Sequence, residues 1–415
     1  MNANTIRHGI RRTALAAAVS VFAAAPAAFA APGDPLAPPF PVDPGQPGGG
    51  PIVRHDAAGD FLVVWNGQYP AIRARLFNAN GSAHGPAFSV ASGSLSGAAM
   101  NAAGEFVISW GATNSSGATH TYVQRYAAGG APTGTPIDAL PYGSSSVAMD
   151  ADGDFVLTWD GSRQIGIPGG LPYLVFELGF STVKAQRFSH DGTRIGGNLL
   201  VHLSLTDPLP INGSLNPPSP TVVMNSDGDF IVAWNDNTLI LKPSVYARRY
   251  GKSGLPLGLE FRVNPLMPSS AGGPNLAMGD DGSFIASWQT PHPVGTNSYS
   301  GADIYARRFT RLGLPTGQPI AVSTNVVTGG QSLARDAAGN FAVAWIGTTS
   351  SGCCIPSYLY LRTFAADGTQ LGSVVNVTGP NVGLDNPTLV MNASGNLVLG
   401  WNEAGNVEAE LFAGP

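Results

Sequence analysis

The sequence predicts an all-β fold: a seven-bladed β-propeller with four antiparallel strands per blade, closed by an N-terminal strand at about residues 40–43. Three observations predict it. A phrase typified by "MDADGDFVLTW" at 149–159 recurs seven times, and each copy is followed by similar segments. The copies end in Trp65, Trp110, Trp159, Trp234, Trp288, Trp345 and Trp401, which are all seven tryptophans of the chain. The last unit stops one strand short, while "GDPLAPPFPVDP" at 33–44 repeats the spacing of "GLPLGLEFRVNP" at 254–265. A repeat of tens of residues is the mark of solenoids and propellers, and a unit split between the two termini is what a ring needs.

The second strand of each unit carries the pattern. Phe61, Phe106, Phe155, Phe230, Phe284, Phe341 and Leu397 stand four residues before the tryptophans, so both rings share one strand face. Val64, Ser109, Thr158, Ala233, Ser287, Ala344 and Gly400 are on the other face and are mostly small. Such a strand is buried on both sides, with the bulky face of one blade over the small face of the next. Gly59, Gly104, Gly153, Gly228, Gly282, Gly339 and Gly395 read as the left-handed residue of a tight turn after a short first strand. Third strands follow, such as "VYARRY" (245–250) and "IYARRF" (304–309), and fourth strands such as "EFRVN" (260–264).

In chain order, residues 1–30 read as a secretory signal: Arg7, Arg11 and Arg12, an apolar stretch, then a small-x-small site at Ala28 to Ala30. The apolar run is too short to span a bilayer, and the arginine pair leaves twin-arginine export open. Residues 31–415 then form one propeller domain. Cleavage takes three arginines from 21 basic residues against 26 acidic ones, leaving a net charge of −8. That argues against nucleic-acid partners. No other run is long enough for a membrane span, so the chain is expected as a monomer in the periplasm, at the cell surface or in the medium. Cys353 and Cys354 are adjacent and are the only cysteines. A vicinal disulfide, pairing between chains and the reduced state all stay open.

Strand order places the turns after first and third strands on one face, short and repetitive. The other face receives the non-repeating segments 160–182, 203–220, 235–244, 289–303 and 347–357. Loops that vary on a repeating scaffold are where binding resides. The candidate ligand-binding residues there are Asn66, Tyr69, Asp160, Tyr173, Asn235, Asp236, Gln289, His292, Asn402 and Glu403. Their aromatic, amide and carboxylate mixture suits a sugar. In 160–182, Tyr173, Phe176 and Phe180 form a small satellite core or a lid over the channel.

Two patterns invite a second reading. "DADGD" (Asp150, Asp152, Asp154) and "NSDGD" resemble the start of a calcium loop. No glutamate closes it, other copies lose the acids, and turn chemistry covers all seven, so no cofactor is expected, calcium being the one candidate. Arg75, Arg125, Arg187, Arg248, Arg249, Arg307, Arg308 and Arg362 recur on third strands. Cross-strand ion pairs with Asp60, Glu105, Asp154 and Asp229 would explain them, and Glu408 and Glu410 break any basic ring. No metalloprotease, nucleophile-elbow or phosphate-loop motif is present.

The unit "DGDFVVxW … IYARRF … GxPxGxEFxVN" resembles the degenerate repeats of bacterial exported propeller and adhesin-type proteins. The resemblance implies surface or extracellular binding and carries over no catalytic residue. The turn is loosely similar to the Asp-box hairpin of sialidase-type propellers, without the Ser-x-Asp-x-Gly order or an assignable arginine triad. The expected function is non-enzymatic recognition of a carbohydrate or a surface protein through the long-loop face. The alternative is a hydrolase or lyase acting on extracellular glycans.

Overall fold

The computed structural model describes residues 30–140, 145–161, 163–167, 176–209, 219–236, 244–265, 271–293, 299–323, 326–348, 356–381 and 383–415. The expected signal segment lies outside them up to residue 29, as do Tyr173 and both cysteines. No helix occurs among the described residues, so none is long and apolar enough to cross a membrane.

The chain forms seven four-stranded antiparallel blades. The first blade is Gly49–His55, Phe61–Asn66, Ala71–Phe77 and Phe88–Ser92, paired in that order from the axis outward. The innermost strands of successive blades adjoin one another in an unbroken cycle, the seventh against the first. That cycle closes as the split unit requires. Phe40–Pro41 pairs with Asn406–Phe412 (Phe40 opposite Ala409, Pro41 opposite Glu408), and Val42 N–H donates to Val407 O at 2.8 Å.

The alternation of bulky and small strand faces produces the packing expected of it. Trp65, Trp159, Trp234, Trp288, Trp345 and Trp401 are buried to 1% exposure or less. Phe230, Val232 and Trp234 of the fourth blade pack on Ala148, Val156, Val183 and Ala185 of the third. Phe61, Val63 and Trp65 of the first pack on Val398, Val407 and Ala409 of the last. A further regularity is a ring stack inside each blade. The second-strand Phe faces the aromatic that ends the third strand, as in Phe284–Phe309 (4.7 Å, 2°) and Phe341–Phe364 (4.6 Å, 9°). Only the last blade lacks the pair, because Leu397 replaces the Phe opposite Phe412. All seven turn glycines have φ between 78° and 93°, where a Cβ would be strained.

Parts of the expected loops are strand instead. In the third blade Phe176–Phe188 pairs with Arg194–Leu209, and Arg163–Ile167 pairs with its first residues, so 163–167, 176–182 and 203–209 continue the sheet. Phe284–Pro293 and Tyr299–Phe309 do the same in the fifth blade. Extending an existing ladder pairs backbone groups that an irregular loop would leave to water.

Candidate functional site

An axial cavity of about 720 Å³ is walled by the innermost strands. Toward the long-loop end its lining includes uncharged polar groups, Asn66, Ser146, Thr221, Asn275, Gln331, Ser332 and Thr388, beside Ile52, Leu95 and Pro387. Several of these groups serve the ring itself. Ser332 Oγ accepts from Leu389 N–H of the next blade at 2.9 Å, and Ser146 and Thr388 do likewise for Val222 and Val53, each at 3.3 Å. Hydroxyls on one innermost strand thus sew it to the next. Gln331 donates to Gly273 O at 2.9 Å while its Oε1 is buried without a partner among the described residues.

The residues expected to bind a ligand divide into two groups. After two of the tryptophans, the next residue turns out to be a staple between blades. Asn66 Oδ1 accepts from Leu95 N–H at 2.9 Å, and Gln289 Nε2 donates to Gly329 O at 3.0 Å. The Asn402 amide lies so close to Gly49 that a Cβ there would stand 2.9 Å from Nδ2. Asn235 is half-buried, and its Oδ1 has no partner among the described residues. Asp160 is half-buried opposite Val183.

The others lie further along the loops. Tyr69 is 85% exposed, three residues on from the cavity-lining Asn66. His292 is engaged with Asp303 at 2.8 Å. Glu403 accepts from Trp401 Nε1 at 3.0 Å and from Asn381 Nδ2. Asp236 stands 4.0 Å from Nε2 of His202, a buried ring over Trp234 whose Nδ1 meets Glu260 at 2.9 Å. That contact holds the Glu260 carboxyl below its usual range. His202 and Glu260 escaped sequence reasoning because nothing in their spacing joins the outer strands of two blades.

The short-turn face is occupied by its own chemistry. Lys252 of the fourth blade places Nζ 3.0 Å from Asp150, 2.6 Å from Asp152 and 4.0 Å from Asp154 of the third. An ammonium thus fills the position of the cation for which the acids were considered, and its two hydrogen-bonded carboxylates hold its pKa well above the ordinary lysine value.

The repeated arginines require a correction. Among the described residues none of them makes the expected close ion pair, although Arg187 and Arg249 remain within electrostatic reach of Asp154 and Asp229, and the acids are already capping turns. Asp60, Asp154 and Asp229 accept from Ala79, His190 and Lys252 N–H at 2.8, 2.8 and 3.0 Å. The arginines reach neighbouring blades instead. Arg75 and Arg248 donate backwards to Val42 O (2.7 Å) and Val201 O (3.2 Å), and Arg308 donates forwards to Ala366 O (2.6 Å). The doublet "ARR" is therefore a clasp in both directions. At the matching position of the last blade, Glu410 is 5% exposed, and burial raises its carboxyl to about 7.

No family model matches the chain, and no curated protein does. Solved structures with a similar fold include an ulvan lyase of a polysaccharide lyase family, at 9% identity and a TM-score of 0.52 over 89% of this chain and 94% of that one. A protein of unknown function from Dyadobacter fermentans aligns at 14% identity and a TM-score of 0.48, covering 89% of this chain and 95% of that one. The α-L-arabinofuranosidase of Fusarium graminearum aligns at 12% identity and a TM-score of 0.46, covering 92% and 97%. At such identities the likeness is one of fold alone.

Proposed function

We propose that this is an exported binding propeller that takes a carbohydrate on its long-loop face, around the mouth of the axial cavity. The observation that carries the reading is the exposed Tyr69 ring, three residues on from Asn66 in a cavity wall that also carries amides and hydroxyls. An aromatic face stacks on the apolar face of a pyranose, and amides and hydroxyls exchange hydrogen bonds with its hydroxyls. Buried acceptors without a protein partner, Asn235 Oδ1 and Gln331 Oε1, fit the same chemistry. Neighbours named for polysaccharide and arabinoside chemistry share the fold only, so the argument rests on this face.

The leader at 1–30 supports export, after which 31–415 acts as one domain. A surface protein is the other partner class that the long-loop face suits. A glycosidase reading would need two carboxylates facing each other at the cavity, and none lines it among the described residues.

Thermal unfolding of the purified protein against a panel of neutral and acidic glycans tests the proposal. A ligand at about a hundred times its Kd adds roughly 2.7 kcal/mol, enough to move the midpoint by degrees. One sugar class should shift the midpoint in the wild type and not in Tyr69→Ala. A flat panel would overturn the carbohydrate reading.

A further inference from the structure

The axial cavity holds a charge that the ring does not need. The second-to-last residue of each innermost strand contributes to its wall, and these are Arg54, Ala99, Ala148, Val223, Ala277, Ala334 and Val390. Six are small and apolar, so the fold is satisfied by Ala or Val there. Arg54 is the exception. Its Nε donates to Ala98 O at 2.7 Å and its Nη1 to Val53 O at 2.6 Å, while Nη2 has no partner among the described residues.

Among the described residues no aspartate or glutamate lines the cavity, and its other ionisable side chains are His55 and Arg335. The carboxylates that follow the innermost strands are spent on their turns. Asp56, Asp150 and Asp336 accept from Asp60, Asp154 and Asn340 N–H at 3.0, 2.9 and 2.8 Å. Desolvation lowers the Arg54 pKa to about 10, so the guanidinium remains charged at neutral pH. The result is an uncompensated cation deep in a chain whose net charge is −5. Such a group is unfavourable until an anion joins it, and a guanidinium with free N–H donors matches a carboxylate or sulfate.

We infer that the axial cavity is a binding site for an anionic group, a carboxylate or a sulfate, gripped by Arg54, with Arg335, 3.8 Å from Asp281, as a second guanidinium at the short-turn end. The site does not depend on the outer-face reading. A protein that ignored every neutral glycan could still hold an anion here.

Calorimetric titration of the protein with sulfate, with glucuronate and with neutral glucose tests it, in parallel with Arg54→Ala. The expected result is binding of at least one of the two anions and not of glucose, with at least about tenfold weaker binding in Arg54→Ala. Sulfate alone would assign a compact inorganic anion or a sulfate ester, and glucuronate a sugar acid. Because Ala stands at this position in other blades, Arg54→Ala should melt, without anion, at or above the wild-type temperature; loss of binding then cannot be ascribed to misfolding. No anion binding by the wild type, equal binding by Arg54→Ala, or glucose bound as well as glucuronate would overturn the inference.

Discussion

The two faces of the ring differ in how their polar groups are used. On the short-turn face, acids cap their own turns, arginines clasp neighbouring carbonyls, and Lys252 neutralises the acid-rich turn at 150–154. On the long-loop face a large ring is left in solvent at Tyr69, and buried acceptors at Asn235 and Gln331 have no partner among the described residues. The repeat satisfies many of its polar groups from blade to blade, although Nε1 of Trp65, Trp234, Trp288 and Trp345 and Nε of several repeat arginines have no partner among the described residues. On the long-loop face, Tyr69, Asn235 and Gln331 are the groups offered to a ligand.

If only the surfaces differ, the two ends of the packed second strand should matter equally. Trp234 lies toward the long-loop end and Phe230 toward the short-turn end, both at 1% exposure or less. Trp234→Ala and Phe230→Ala should each cost about 3–5 kcal/mol in denaturant unfolding. A loss below about 1 kcal/mol for either would mean that the ring is not packed between blades as described.

The next expected effect concerns one joint between blades. Glu410 stands where Arg75, Arg248 and Arg362 clasp the preceding blade, and its carboxyl has a folded-state value of about 7, above its ordinary 4.5. The stabilisation from its protonated form is complete below the unfolded value and is lost as pH rises through 7. Stability should therefore fall between about pH 5 and 8 by about 1–3 kcal/mol on this account, and Glu410→Gln should flatten that slope. An identical pH profile in Glu410→Gln would remove the residue from the explanation.

Lys252→Ala leaves Asp150, 2% exposed, facing Asp152 and Asp154 without a cation, and should cost about 1–3 kcal/mol. Tyr69→Ala removes an exposed ring and should change stability by less than about 0.5 kcal/mol. Melting curves of the two variants check both values.

The fold was legible because its signals are local and repeated. The Phe-x-x-x-Trp spacing, the turn glycine and the split unit at 33–44 each follow from strand or turn geometry, and the blades and the closing strand are as they imply. The site was legible only as a face. Asn66 and Gln289 carry the residue types of a sugar site, yet their acceptors and donors lie 29 and 40 residues away on the next blade, which no local pattern announces. Lys252 meets Asp152 across 100 residues for the same reason. Arg54 could have been found, since aligning the copies leaves it the single charge in a column of Ala and Val.

The most direct test of the division between faces is to measure one ligand on two variants. The glycan that shifts the wild-type melting point would be titrated into Tyr69→Ala and Lys252→Ala at a temperature where both are folded. Binding weakened at least about tenfold in Tyr69→Ala and unchanged in Lys252→Ala is the predicted result. Weakened binding in Lys252→Ala with Tyr69→Ala unaffected would place recognition on the short-turn face and contradict the account.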